Sequence, residues 1–155
     1  FTQRRSRCII SSRRKKEAEY AGDCFKQREG HGTCGGALRR LGAGRAVVAM
    51  YGELGSGKTA FVRGMARGMG IDCRVSSPTF TIVNEYLGAR ELIHFDMYRL
   101  ASADELWDIG WEDYLARGAV CAVEWSERVE EALPEDTVWV TIARHPEQEP
   151  GGSLR

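Results

Sequence analysis

The chain has 155 residues, of which 43% are apolar and 28% charged, a composition ordinary for a single globular domain. Its formal net charge is zero, which taken alone argues against a nucleic-acid-binding protein that works through bulk charge. The zero conceals a split, because residues 1–46 hold 12 basic and 4 acidic side chains, whereas residues 47–155 hold 10 basic and 18 acidic ones.

The first 36 residues differ from the rest of the chain. They carry seven basic side chains and no acidic one before Glu17, and glycines occupy positions 30, 32, 35 and 36. This pattern predicts a disordered basic segment with a weak helix over residues 17–27. We expect a folded domain over residues 37–144 and a flexible tail rich in Pro, Gly and Glu over residues 145–155.

Strand and helix patterns alternate from residue 46 onward. A continuous apolar run predicts a buried strand at 46–51, and apolar residues at helical spacing predict a helix at 59–68. The later predicted elements are a hairpin at 79–86 and 91–97, short helices at 102–107 and 111–115, a buried strand at 119–124, a helix at 126–132 and a strand at 137–143. This order predicts an α/β fold, a three-layer sandwich with a mixed, mostly parallel sheet and helices on both faces.

The turn between the first strand and the first helix matches the phosphate-loop pattern G-x-x-x-x-G-K-[ST]. The predicted phosphate-binding residues are Gly52, Glu53, Leu54, Gly55, Ser56, Gly57, Lys58 and Thr59. The glycines let backbone N–H groups approach phosphate oxygens, and the helix that follows directs the positive end of its dipole at the same anion. The Lys58 ammonium is expected to reach the β- and γ-phosphates, and the Thr59 hydroxyl to ligate Mg²⁺.

A phosphate-loop enzyme also needs an acidic residue near Mg²⁺, and two carboxylates end predicted strands. Ligand sites in open α/β sheets collect at such strand ends. We assign Glu124 to the metal, directly or through water, and Asp96 to orienting or deprotonating the attacking water. The hydroxyls of residues 76–80, Thr79 among them, are candidates to contact the γ-phosphate or Mg²⁺. His94 is expected to be a structural hydrogen-bonding residue.

Motifs that are absent from the sequence indicate which nucleotide the protein binds and in which cellular compartment it works. Lys58 is the last lysine, so the guanine-reading N-K-x-D motif cannot follow it, which favours ATP over GTP. The five cysteines form no C-x-x-C pair and are odd in number, which predicts neither a disulfide framework nor a zinc ribbon. These features, with no apolar run near the roughly 20 residues of a membrane span, predict a reduced cytoplasmic protein without a membrane partner.

Five segments together resemble one family. They read GELGSGKT at 52–59, SSPTFTIVNEY at 76–86, HFDMYRL at 94–100, DELWDIGWEDYL at 104–115 and VEWSER at 123–128. This set is similar to the TsaE family, ATPases of tRNA threonylcarbamoyladenosine synthesis, the modification of the adenosine beside the anticodon. The resemblance implies a cytoplasmic ATPase using ATP and Mg²⁺, with TsaD-like and TsaB-like partners and only indirect contact with tRNA. It also implies that Asp96 serves hydrolysis, Glu124 the metal and Thr79 a switch segment, while the partners catalyse the transfer itself.

Two other functions on the same fold remain open from the sequence. A small-molecule kinase would need an arginine-rich lid to exclude water. The arginines after the loop are scattered singly, at Arg63, Arg67, Arg74, Arg90 and Arg99, which weighs against such a lid. The second is a nucleotide-dependent binding switch with little ATP turnover of its own. It is not sharply distinct from the ATPase hypothesis, because hydrolysis without partners is expected to be slow there too.

Overall fold

The structure, a computed structural model, describes the backbone of residues 6–12 and 15–23 and the whole of residues 41–144. The strands are β1 (Ser6–Ser12), β2 (Lys15–Asp23), β3 (Ala46–Tyr51), β4 (Val83–Tyr86), β5 (Leu92–Asp96), β6 (Val120–Glu124) and β7 (Val138–Arg144). The helices are α1 (Lys58–Gly68), α2 (Ala103–Asp108) and α3 (Trp111–Ala116), with 3₁₀ turns at Ser126–Arg128 and Glu130–Ala132. None of the helices within these described stretches has the length and apolarity needed to cross a membrane.

The seven strands form one sheet in the order β2-β1-β7-β3-β6-β5-β4. The pairs β7–β3, β3–β6 and β6–β5 are parallel, and the pairs β2–β1, β1–β7 and β5–β4 at the two sides are antiparallel. The predicted mixed α/β sheet is therefore confirmed. Because β3, β5 and β6 run parallel, their carboxyl ends meet at one edge, and residues that follow these strands lie close together.

Helices cover both faces of the sheet, as predicted. Alternate residues of β3 divide between two apolar clusters: Val48 and Met50 pack with Phe61 and Met65 of α1. Val47 and Ala49 belong to the opposite cluster, which contains Leu106 of α2 and Trp111 of α3. Burial of β3 on both faces explains why its sequence is a continuous apolar run rather than an alternating one.

The N-terminal prediction is wrong for the residues that the structure describes. Residues 6–12 and 15–23 form an antiparallel hairpin, and β1 pairs along the whole of β7. The predicted disorder and the weak helix at 17–27 thus give way to strands over Ser6–Ser12 and Lys15–Asp23. The pairing supplies partners for backbone groups of β7 on the side away from β3, which local sequence patterns do not reveal. Residues 24–40 and the predicted tail at 145–155 lie outside the described residues.

A second correction concerns the segment after β6. The predicted helix over 126–132 is instead two single 3₁₀ turns. Trp125 before them has a left-handed backbone (φ 56°), and the turns bury Val129 and Leu133 completely or nearly so. Inserting these apolar residues into the core within a short connection favours tight turns over a continuous helix.

Candidate functional site

The loop from Gly52 to Gly57 makes a tight turn because its glycines adopt conformations that other residues adopt only rarely. Gly55 and Gly57 have left-handed backbones, with φ of 72° and 108°. A Cβ placed on Gly52 would lie 2.5 Å from the carbonyl oxygen of Ile142 in β7. The loop is thus held tightly against β7, and the start of α1 directs the positive end of the helix dipole toward an anion bound there.

Lys58 lies at the start of α1 and is 4% exposed. Its Nζ donates to the carbonyl oxygens of Gly52, at 2.5 Å, and Glu53, at 3.0 Å, and lies 3.9 Å from the ring centroid of Trp125. The ammonium therefore sits inside the loop, bonded to backbone oxygens and over an aromatic face. Phosphate oxygens entering the loop would meet a largely buried cation, which would exchange these carbonyl bonds for stronger bonds to the anion.

The charge of Lys58 is balanced by nearby carboxylates. Burial lowers the pKa of Lys58 below its usual value, and the negative charges of Glu124, Glu127 and Asp96 oppose that shift. The three carboxylates thus favour the charged ammonium that phosphate recognition requires.

Glu124 ends β6 and is 3% exposed. Its Oε1 accepts a hydrogen bond from the Thr59 hydroxyl at 2.8 Å and lies 2.8 Å from Nε2 of His94. Asp96 is the register partner of Glu124 on β5, so the two carboxylates stand side by side at the edge where the parallel strands end. Thr59 and Glu124 thus bring together a hydroxyl and a carboxylate oxygen, the kind of oxygen atoms that could hold Mg²⁺.

Asp96, 2% exposed, holds the segment that leads into β4. One oxygen, Oδ2, accepts hydrogen bonds from Ser77 Oγ at 3.1 Å and Thr79 Oγ1 at 2.9 Å, and the other, Oδ1, accepts from the backbone N–H of Tyr98 at 2.9 Å. The same segment contains Ile82, whose left-handed backbone (φ 68°) is unusual for a β-branched residue. Asp96 is therefore occupied by two hydroxyls of a constrained segment.

A second anchor fastens the start of this segment. The Tyr86 hydroxyl accepts from the backbone N–H of Ser76 and donates to its carbonyl oxygen, both at 3.2 Å. Asn84 Nδ2 donates to the same carbonyl oxygen at 3.2 Å. The segment between these anchors and Asp96 carries Ser77 and Thr79 next to the loop, in the position expected of a nucleotide-sensing segment.

The structure brings most of the predicted site residues to one edge of the sheet. Lys58, Thr59, Thr79, Asp96 and Glu124 converge there. The side chains of Glu53 and Leu54 do not, since both are exposed and only their backbone contributes, with Leu54 O accepting from Arg144 at 2.5 Å. Among the residues described, no group of three or more His, Cys, Asp or Glu side chains gathers as a metal site. The Thr59–Glu124 pair fits Mg²⁺ instead, which commonly takes few protein ligands and completes its shell with phosphate oxygens and water.

Two contributors to the site were not predicted from the sequence: Ser77, which donates to Asp96, and Arg144 of β7, which donates to the Leu54 carbonyl oxygen in the loop. The expectation that His94 is a structural hydrogen-bonding residue is confirmed, and its partner is Glu124, the predicted metal ligand. The strand alternation around His94 was a usable signal, whereas the Arg144 contact depends on strand order and has no local signal.

Comparisons with known proteins agree on one family. The family model described as "Threonylcarbamoyl adenosine biosynthesis protein TsaE" matches residues 25–150. Proteins named tRNA threonylcarbamoyladenosine biosynthesis protein TsaE are 44% identical in Treponema pallidum, over 72% of this chain and 80% of that protein, and 43% identical in Haemophilus influenzae, over 62% and 61%. The Bacillus subtilis protein of that name is 44% identical over 63% of this chain and 61% of its own length. The crystal structure of Bacillus subtilis YdiB aligns with a TM-score of 0.59 and 28% identity, over 95% of this chain and 82% of that one.

Proposed function

This chain belongs to the TsaE family of threonylcarbamoyl adenosine biosynthesis proteins, and we propose that it serves tRNA modification as a Mg²⁺-dependent ATPase. The observation that carries the proposal is the convergence of Lys58, Thr59, Asp96 and Glu124 at the carboxyl ends of adjacent parallel strands. A buried cation, a hydroxyl and two neighbouring carboxylates are the groups that phosphoryl transfer to water requires.

The loop suits the phosphates of a nucleotide, and the lack of a guanine-reading N-K-x-D motif after Lys58 favours ATP. Gly55 and Gly57 have left-handed backbones that allow the tight turn, and Lys58 lies within the same turn. Thr59 and Glu124 would hold Mg²⁺. Bound Mg²⁺-ATP supplies an electrophilic γ-phosphoryl group whose developing charge the metal helps to neutralise.

In the proposed mechanism the residues of this chain position the reactants and move one proton. Lys58 would exchange its bonds to the Gly52 and Glu53 carbonyls for bonds to phosphate oxygens. Asp96 would orient the attacking water and accept its proton at Oδ2, the oxygen that now accepts bonds from Ser77 and Thr79. These two hydroxyls must release Asp96 before it acts as a base, which provides a physical reason for slow hydrolysis by the isolated chain.

The proposal also covers the protein partners and the cellular location of this chain. We assign the chain to the cytoplasm, acting with TsaD-like and TsaB-like proteins that catalyse the transfer, while ATP turnover here supports repeated cycles. The names of the relatives support the place in tRNA threonylcarbamoyladenosine synthesis, and the acidic balance of residues 47–155 favours protein partners over extensive tRNA contact. A kinase receives no support, because Arg63, Arg67 and Arg74 line a cavity on α1 and the following loop rather than a lid over the phosphate loop.

Paired measurements of nucleotide binding and hydrolysis test this function. Lys58→Ala should weaken ATP binding at least tenfold, because it removes the buried cation, and hydrolysis should fall with it. Asp96→Ala should keep ATP binding within about threefold and lower hydrolysis on the order of 100-fold, the usual contribution of a general base. Asp108→Ala, which removes an exposed carboxylate at the end of α2, is the matched control and should change neither. Survival of hydrolysis in Asp96→Ala would remove Asp96 from its proposed role.

A further inference from the structure

Three arginines that are scattered in the sequence line one surface cavity of about 290 Å³. Arg63 and Arg67 come from α1, and Arg74 comes from the loop that follows it. The exposed thiol of Cys73 lies in the same cavity, and no acidic residue lines it. The cavity is near the lower end of the roughly 300–1,000 Å³ typical of small-ligand sites, a size suited to one phosphate group and its neighbouring sugar.

The donors of this cavity are largely unused. Arg63 Nε donates to the carbonyl oxygen of Val75 at 3.1 Å, which fixes that side chain across the cavity. Within residues 41–144, the guanidinium groups of Arg67 and Arg74 form neither a hydrogen bond nor an ion pair, and both side chains are exposed. The nearby Asp72 carboxylate forms no ion pair with any of the three in that part of the chain. Each guanidinium carries five N–H donors, so the cavity presents several unpaired donors and three positive charges.

The end of α1 does not cancel this charge. Its last carbonyl groups accept backbone hydrogen bonds, from Met69 to Met65 and Ala66, from Gly70 to Arg67, and from Ile71 to Ala66. The helix dipole contributes about half a negative charge at this end, against three full positive charges from the arginines. Even with the negative charge of Asp72 counted, the three arginines leave this end of α1 positive, whereas residues 47–155 together have a net charge of −8.

We propose that this cavity binds a phosphate group in the backbone of an RNA. Guanidinium groups match phosphate oxygens in pairs and are weakly hydrated, so three of them around a small concavity select a phosphate over a dispersed negative surface. Because the rest of residues 47–155 is acidic on balance, these three arginines would contact the RNA at one place rather than along an extended basic surface. The choice of tRNA as the RNA rests on the proposed function, whereas the site itself does not depend on ATP chemistry.

Protection of Cys73 from alkylation tests the site directly. The full-length chain is treated with iodoacetamide with and without an unmodified tRNA transcript, in the absence of nucleotide, and modification of each cysteine is quantified by peptide mass spectrometry. Bound RNA should slow alkylation of Cys73 at least threefold. Cys121 reports on unfolding, because it is buried in β6 and burial raises its pKa to about 12, which keeps its thiol protonated and unreactive.

Matched arginine variants separate this site from other basic surface. The double variant Arg67→Gln, Arg74→Gln should lose the protection, and its log affinity for tRNA, plotted against log salt concentration, should have a slope shallower by about two. Arg45→Gln removes one positive charge, from an exposed ion pair with Asp136 away from the cavity, and should retain both the protection and the slope. Unchanged protection and slope in the double variant would overturn the proposal.

Two further probes identify the ligand. Inorganic phosphate at high concentration should protect Cys73 partly and compete with tRNA, as expected for recognition of a phosphate group. Equal protection by polyglutamate would assign the cavity to an acidic protein segment and overturn the RNA proposal, as would tRNA binding without protection of Cys73. Because no nucleotide is present, a chain that fails to hydrolyse ATP can still show protection, so the two proposals fail independently.

Discussion

Glu124 depends on its neighbours for its orientation. Its Oε1 accepts from Thr59 and lies 2.8 Å from Nε2 of His94, so the ring must carry its proton on that nitrogen to donate to a carboxylate. His94 is fully buried, and its Nδ1 has no hydrogen-bond partner among the described residues. We therefore regard His94 as a positioning residue that fixes the rotamer of the carboxylate we assign to Mg²⁺.

Replacing His94 should alter metal dependence more than fold. His94→Leu replaces the imidazole with an apolar side chain of similar bulk and so removes the donor. The Mg²⁺ concentration needed for half-maximal ATP hydrolysis should therefore rise about tenfold, as is usual when a group that orients a metal ligand is lost. His94→Gln can still donate and should recover part of this loss. Thermal unfolding of both variants controls for stability. An unchanged Mg²⁺ requirement in His94→Leu, or no advantage of Gln over Leu, would contradict the positioning role.

The phosphate loop is an element shaped by long-range packing as well as by its own glycines. Gly52 directly follows β3 and lies close to the carbonyl oxygen of Ile142 in β7. Arg144 at the end of β7 donates a hydrogen bond to the carbonyl oxygen of Leu54 within the loop. The motif predicted the loop and its flanking strand and helix. It could not predict that β7 forms the wall, because the place of β7 beside β3 is decided by pairing between residues about 90 positions apart.

A methyl group at Gly52 should therefore disturb the loop. In Gly52→Ala the Cβ would meet the backbone oxygen of Ile142 at 2.5 Å, so the loop or β7 must shift. We expect the free energy of unfolding to fall by about 1–3 kcal/mol and ATP affinity to fall at least tenfold. Gly44→Ala is the control, because a Cβ there has no neighbour within 4 Å, and it should stay within about 0.5 kcal/mol of the parent. Denaturant titration and nucleotide binding measure both effects, and equal behaviour of the two variants would disprove the steric argument.

The whole molecule shows which features local sequence can predict. Strands buried on both faces, such as β3 and β6, and the amphipathic helix α1 were predicted correctly because burial dictates their composition. The hairpin of β1 and β2 was missed because its partner is β7, at the other end of the chain. The arginine cavity was also missed, although Arg63 and Arg67 lie four residues apart on the predicted helix; only the approach of Arg74 depends on the loop after α1.

The distribution of charge along the chain is more informative than its net charge. The zero net charge combines a basic N-terminal segment with residues 47–155 at −8, and the latter hold every proposed catalytic residue. Burial lowers the pKa of Lys58, and the negative charges of Glu124, Glu127 and Asp96 oppose that shift, so the local surroundings of Lys58 matter more than the net charge of the chain. A negative net charge over residues 47–155, with the buried cation Lys58 beside the phosphate loop, suits an ATPase that works through protein partners.

Steady-state ATP hydrolysis with and without a TsaD–TsaB pair tests the central claim most directly. If the hydroxyls of Ser77 and Thr79 restrain Asp96 until partners rearrange their segment, the pair should raise turnover at least tenfold, and Asp96→Ala should abolish the increase. Turnover that is unchanged by the partners, with normal nucleotide binding by this chain, would contradict an accessory ATPase role in tRNA modification.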